Sequence, residues 1–400
     1  MEAFAGALAA QAAGELAGYR AGIERAAELL PDPTRLLYRL AAARLDAGDR
    51  AGASSALRRM VDAGFVRDPR PDAAFATLAA DAEFLALMAR MDELATPVER
   101  STELFRAGSG ELLVEGIARN PLDESFFLSA VHGRKVLRRS ADGAVSDFVP
   151  TGAHGLAAAL GMAVDAERRL LWVVSAGLPQ AAGLEASARD RSALLGFDLA
   201  SGELVRKVEA PPGKRWWNDL ALAGDGTLYV SDPGAAAIAR VAPDGAVSTV
   251  VEGAGLRSPG GLALSADERT LYVADWSNGL ARVELPTGEL TWLAPPSGST
   301  VLGIDGLRRV GGDLIAIQNG VVPHRIVRLA LAADGRTLAA AELLERAVPG
   351  WDEPTLGVVV DGALVYVANS QWPKFGEDGA TPDPATLAQP AIRRLPLAAP

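Results

Sequence analysis

The chain has no cysteine and only three histidines. Without thiolates there is no disulfide and no cysteine nucleophile, and both reducing and oxidising compartments stay open. No run of about 18 apolar residues occurs, so no helix is expected to span a bilayer. Basic character is also short: 39 Lys and Arg stand against 50 Asp and Glu, giving a formal net charge of −11. Nucleic acid and anionic membrane both want a basic patch, so neither is expected as a partner. No phosphate-cradling loop is present, because the glycine-rich stretches fall in hairpins rather than ahead of helices. The opening MEAFAGALAAQAAGELAGYR is apolar but lacks a cationic start, and Gln11 and Glu15 interrupt it. It reads as a helix rather than a secretory leader, which favours a cytoplasmic location.

With 400 residues, the chain exceeds a typical single core, and two domains are expected. The first, residues 1–98, is Ala- and Leu-rich with helical spacing. DPTRLLYRLAAARLDAGD places Leu36, Leu37, Leu40 and Ala43 on one face, with Asp32 or Thr34 able to cap its start. After a Gly-Asp break, a second helix carries Ala53, Leu57, Met60 and Val61. A helix, a tight turn and another helix resemble one tetratricopeptide unit. Two further short helices fit PDAAFATLAA and AEFLALMARM. Such a region serves either as a cap packed on the rest or as a groove for a protein partner.

Beyond Thr96-Pro97 the period changes to short β-type runs punctuated by Asp-Gly, Ser-Gly and Thr-Gly pairs, which suit hairpins. Six openings align: EGIA at Glu115, LGMA at Leu160, NDLA at Asn218, GGLA at Gly260, DGLR at Asp305 and LGVV at Leu356. Each is followed by a second strand such as TLYVSD or TLYVAD, and in most copies by a third and a fourth. Four antiparallel strands repeated roughly every 50 residues are the signature of propeller blades. The expected fold is therefore mainly β: a six-bladed β-propeller over residues 99–400, preceded by a small all-α region. The last copy ends without a fourth strand. An open ring would expose an edge, so a strand near 101–107, STELFRA, is expected to close it as a clasp.

Propeller geometry brings the six openings to one mouth of the central channel, together with the ends of the second strands. Glu115, Asn218 and Asp305 are oxygen donors from blades one, three and five. His132, Asp232, Asp275, Asn319 and Asn369 end second strands around them. Hard oxygen ligands suit Ca²⁺ or another divalent cation such as Mg²⁺ or Mn²⁺ better than zinc. Asp and Asn also cap turns wherever strands begin, but Glu115 is a poor turn former at the head of an apolar strand. Trp216, Trp217, Trp276 and Trp372 lie near strand ends on the mouth side, as a substrate wall or as packing between blades. The loop NSQWPKFGEDG is long enough to cover the mouth.

These motifs resemble the senescence marker protein/gluconolactonase family, whose relatives include regucalcin and, more distantly, paraoxonases and strictosidine synthases. EGIARNP resembles the family's EGP opening, NDLALAGDGTLYVSD its NDG blade, and IDGLRRVGGDLIAI its PDG blade. The likeness spans roughly residues 101–400. It implies Glu115, Asn218 and Asp305 as metal ligands, with Asp305 also as catalytic base. His154, in TGAHGLAAALG, resembles the base histidine of paraoxonase-like enzymes. His132, Asp232, Asp275, Asn319, Asn369 and Trp276 are the candidates for substrate binding. One departure stands out: the family's PNGL is SPGGL here, so Gly260 occupies the place of an asparagine ligand. The expected function is a divalent-metal-dependent hydrolase of a lactone or small ester. The alternative is a non-catalytic ligand- or protein-binding propeller with a degenerate metal site.

Overall fold

Glycine at the second place of the repeated openings controls how closely the blades approach one another. Five of the six openings carry Gly there (Gly116, Gly161, Gly261, Gly306 and Gly357), and the sixth carries Asp219. A Cβ on Gly261 would lie 2.4 Å from the Asp305 carbonyl oxygen, and one on Gly306 would lie 2.6 Å from that of Thr355. Both contacts are closer than real Cβ atoms tolerate, so the neighbouring blade backbones meet where side chains are missing. The computed structural model, which describes residues 2–30 and 32–397, arranges these openings around a channel. Six four-stranded antiparallel sheets surround it.

In blades one to five the four strands follow one another in sequence, from the channel outward. The inner strands are Val114–Arg119, Ala158–Asp165, Leu220–Leu222, Pro259–Leu264 and Ile304–Val310, and Gly357–Val360 is that of blade six. Blade six takes its outermost strand from ahead of blade one. Thr102–Arg106 pairs antiparallel with Ala391–Pro396, Thr102 opposite Arg394 and Arg106 opposite Ala391. The seam therefore joins the two ends of the ring, which removes the open edge. Apolar side chains fill the spaces between sheets, as Phe127, Leu171, Val173 and Phe197 do between blades one and two.

Ahead of the propeller, α1 (Glu2–Ala12), α2 (Leu16–Leu29), α3 (Thr34–Asp46), α4 (Arg50–Asp62) and α5 (Ala82–Leu94) form a separate core around Ile23, Leu37, Leu57, Met60 and Phe75. Ala73–Leu78, expected as an ordinary helix, forms a single 3₁₀ stretch started by the Asp72 carboxylate, which accepts from the Ala74 N–H. Among the described residues no helix is long and apolar enough to cross a membrane.

The helices dock on blades four and five through backbone carbonyls and a few charged side chains. Asp32 accepts the Thr34 N–H at 3.0 Å with one oxygen. Its other oxygen takes the Thr300 hydroxyl and the Val301 N–H, the latter at 2.9 Å. Arg325, on blade five, donates to the carbonyls of Ala63 and Gly64 at 3.0 and 3.2 Å, capping the chain just past α4. Gly64 has φ +69, and a Cβ there would fall 2.2 Å from the Arg325 guanidinium. The left-handed backbone favours glycine there, and a side chain would also have to push the guanidinium aside.

Candidate active site

A regular ladder would leave the residues of each opening paired with the second strand. In four inner strands the register instead slips at the opening: between Val114 and Ile117, Ala159 and Met162, Pro259 and Leu262, and Ile304 and Gly306. These bulges contain Glu115, Leu160, Gly260 and Asp305. A bulge lifts its residues out of the pairing and re-aims their side chains. The Gly116 N–H, freed by the first bulge, donates to the Ser129 hydroxyl at 2.8 Å, and in blade three the Asp219 N–H, just ahead of the strand, donates likewise to the Ser231 hydroxyl at 3.0 Å.

Glu115 is buried, and one of its oxygens accepts the Trp372 indole N–H at 2.6 Å. Trp372 starts a short 3₁₀ turn in the loop after the second strand of blade six, so that loop reaches the mouth. Asp305 is half-buried and accepts one N–H of the Asn319 amide at 2.6 Å. Asn218 is half-buried two residues ahead of its strand, and its side-chain nitrogen lies 3.6 Å from where a Cβ on Gly260 would stand. The Asp305 carbonyl oxygen lies the same 3.6 Å from that point. Blades three, four and five thus meet around the position that glycine leaves open.

Two further acids, not singled out as site residues from the sequence, belong to the same neighbourhood. Glu353 precedes the sixth opening in the left-handed region, φ 64, and its Oε2 is buried without a hydrogen-bond partner. Asp219 is fully buried, with one oxygen 3.0 Å from Arg308 Nη1 and the other unpartnered. Arg308 also donates to the Gly357 and Leu307 carbonyls at 2.6 and 2.7 Å, so this cation is committed below the mouth. Burial raises the Glu115 carboxyl well above the usual carboxylate range, with the charges of Asp305, Glu353 and Asp219 adding to the shift. Asp305 is pushed up to about 6 by burial against the pull of the Asn319 hydrogen bond, and Glu353 to about 7 by burial and by Asp305. Acids that hold protons this firmly lack a compensating positive charge.

That deficit bears on whether a divalent cation suits the place. The donors are hard oxygens, Glu353 presents a buried oxygen with no partner, and among the described residues the Asn218 amide makes no hydrogen bond. This chemistry fits Ca²⁺ or Mg²⁺. Among the described residues no three His, Cys, Asp or Glu side chains form a ready chelating group. Glu115 and Asp305 are instead each held by a neighbouring donor.

The other sequence candidates have partners of their own. His132 is buried, with Nδ1 2.7 Å from the Gln180 carbonyl and Nε2 2.9 Å from the Thr381 hydroxyl. Asp232 accepts the N–H groups of Trp216 and Ala235 and lies 3.3 Å from Arg215. Asp275 takes four backbone N–H groups, from Arg257, Ser258, Ser277 and Asn278. Asn369 bridges Gln389 and Ala391. His154 is exposed at φ 58, with its ring 6.0 Å from that of Phe197. Trp217 is fully buried among blades two and three, whereas Trp216 and Trp276 are each 41% exposed. Trp276 donates its indole N–H to Asn319 at 3.0 Å.

No protein-family model matches the chain, and no curated protein matches it in sequence. Solved structures do. A gluconolactonase of Xanthomonas campestris is 22% identical over 76% of this chain and 92% of its own, with a TM-score of 0.51. A candidate oxidoreductase (glucose dehydrogenase) of Thermus thermophilus is 16% identical over 74% of this chain and 99% of its own, also at 0.51. These likenesses establish a shared propeller fold, the architecture of gluconolactonase structures, and leave function to the site.

Proposed function

We propose that the protein is a divalent-metal-dependent hydrolase acting on a lactone or small ester at the propeller mouth. The observation that carries this reading is that Asp305 lies near enough to raise the pKa of both Glu115 and Glu353, while Arg308, whose charge reaches Asp305, is committed to Asp219 and two carbonyls. Glu115, Asn218 and Asp305 would hold the cation, with Glu353 beside them. When bound, such an ion polarises a carbonyl and stabilises the charge that develops on its oxygen. The protein's own residues supply the rest. Asn319 occupies one oxygen of Asp305 and leaves the other for a water proton. Ionised Asp305 can accept that proton as a general base. Trp372 fixes Glu115 from a loop that reaches the mouth.

A lactone and small-ester panel assayed with and without chelator tests the proposal. Hydrolysis should be lost with chelator and return on adding Ca²⁺, Mg²⁺ or Mn²⁺. Asp305→Asn and Glu115→Gln should each lower kcat by roughly 10²–10³-fold, the usual loss on removing a transition-state charge partner. Hydrolysis indifferent to chelator, or unchanged in both variants, would rule the reading out. A parent that binds ligand but turns nothing over would point to the binding-propeller alternative.

A further inference from the structure

Asp305 is connected to the helical region by an unbroken series of contacts. We infer that α3 orients the Asp305 carboxylate through Arg35, Trp276 and Asn319, which makes these three positioning residues of the proposed site. The guanidinium of Arg35 lies over the Trp276 ring, 4.2 Å from its centroid, and donates to the Gly320 carbonyl at 3.2 Å. Trp276 donates to Asn319 Oδ1 at 3.0 Å, and Asn319 Nδ2 donates to Asp305 Oδ2 at 2.6 Å.

Each link constrains the next. An indole N–H can only donate, so Asn319 must turn its oxygen toward Trp276 and its NH₂ toward Asp305. Without the indole, the amide oxygen loses its partner and Asn319 is held only by its bond to the carboxylate, so its angle toward Asp305 is no longer fixed. Trp276 is 41% exposed and has little burial to hold it. Gly320 lets the ring lie flat, since a Cβ there would come within 2.6 Å of the indole. Arg35 covers the ring and is itself anchored to the backbone beneath it. The planar guanidinium matters for this stacking, and lysine reproduces only its charge. Asp32, three residues earlier, fastens the start of α3 to Thr300 and Val301. The helical region therefore completes the site from outside the propeller.

The inference rests on the hydrolase reading for its kinetic consequence, and two readouts keep the two apart. The first is the Trp276 indole N–H resonance, assigned among the seven tryptophans by its loss in Trp276→Phe. Arg35→Ala and Asn319→Ala should each shift this signal and speed its exchange with water, and Arg35→Lys should restore it partly. The second is lactone turnover. Trp276→Phe and Asn319→Ala should each lower kcat by about tenfold, the common cost of losing an orienting partner, with KM nearly unchanged. Arg35→Ala should lower kcat in the parent but add nothing in the Trp276→Phe background. An indole signal unmoved by Arg35→Ala, or an equal loss in both backgrounds, overturns the relay. If the parent hydrolyses no lactone, the hydrolase reading falls, and the relay stands or falls on the indole signal alone.

Discussion

Glu115 opens an apolar strand and is buried, a placement that water would never choose for a carboxylate. Its counterparts on the other blades explain it only in part, because the fourth blade contributes no side chain. Gly260 does not lie in the left-handed region, and a Cβ there would meet nothing closer than 3.6 Å. The backbone therefore accepts a larger residue without strain, and the new side chain would enter the space flanked by Asn218 and Asp305. Ca²⁺ takes about six to eight oxygens, so an added amide oxygen replaces water rather than a protein ligand. Gly260→Asn should tighten calcium binding by about tenfold, or about 1.4 kcal/mol, while Asp305→Ala should abolish it. Titration calorimetry of the two variants against the parent checks this. Equal affinity in all three would mean that calcium, if bound, sits elsewhere.

At the scale of elements, ring closure depends on a buried carboxylate as much as on strand pairing. Glu345, at the end of the outer strand of blade five, is fully buried. One of its oxygens accepts the N–H groups of Arg100 and Ser101 at 2.9 and 2.6 Å, and the other accepts the Tyr366 hydroxyl at 2.7 Å. It thus ties the chain entering the clasp to blades five and six together. Glu345→Ala would leave the Arg100 and Ser101 amides without their acceptor and the Tyr366 hydroxyl with only Ser101 and Trp351 as partners. The expected loss is about 3 kcal/mol, read as a lower denaturant midpoint. Repetition made the six openings legible in the sequence, because short apolar strands and Gly turns recur with little else between them. Bulges were not legible, since they exist only relative to a partner strand's register. Asp219 left a trace as the one opening without Gly in second place. Glu353 left none, because a loop residue's neighbours are set by the blade that follows it. Asn319 and Trp276 were recognisable as residues at the mouth, but their orientation toward Asp305 depends on a helix more than 200 residues earlier in the chain.

For the whole molecule, the acids at the mouth couple metal binding, protonation and stability. Asp305 and Glu353 are pushed up to about 6 and about 7, so the folded apo protein keeps protons that the unfolded chain releases near pH 4. The folded state binds more protons over that interval, so stability falls as pH rises from about 4 to about 7. A cation requires the same groups ionised, and its binding releases protons. Its affinity, and with it its stabilising effect, should therefore grow over that interval. In chelator, Glu353→Gln should melt higher than the parent at pH 7.5, by a few degrees for a gain of about 1 kcal/mol, because it removes a half-buried carboxylate whose Oε2 has no partner. At pH 5.0 the parent carries Glu353 protonated, and the difference should nearly vanish. With calcium added, the parent's melting temperature should rise more at pH 7.5 than at pH 5.0. Thermal unfolding of both proteins at the two pH values, with calcium and with chelator, contains the whole test. A calcium effect that is larger at pH 5.0 would contradict the assignment of these carboxylates to the cation.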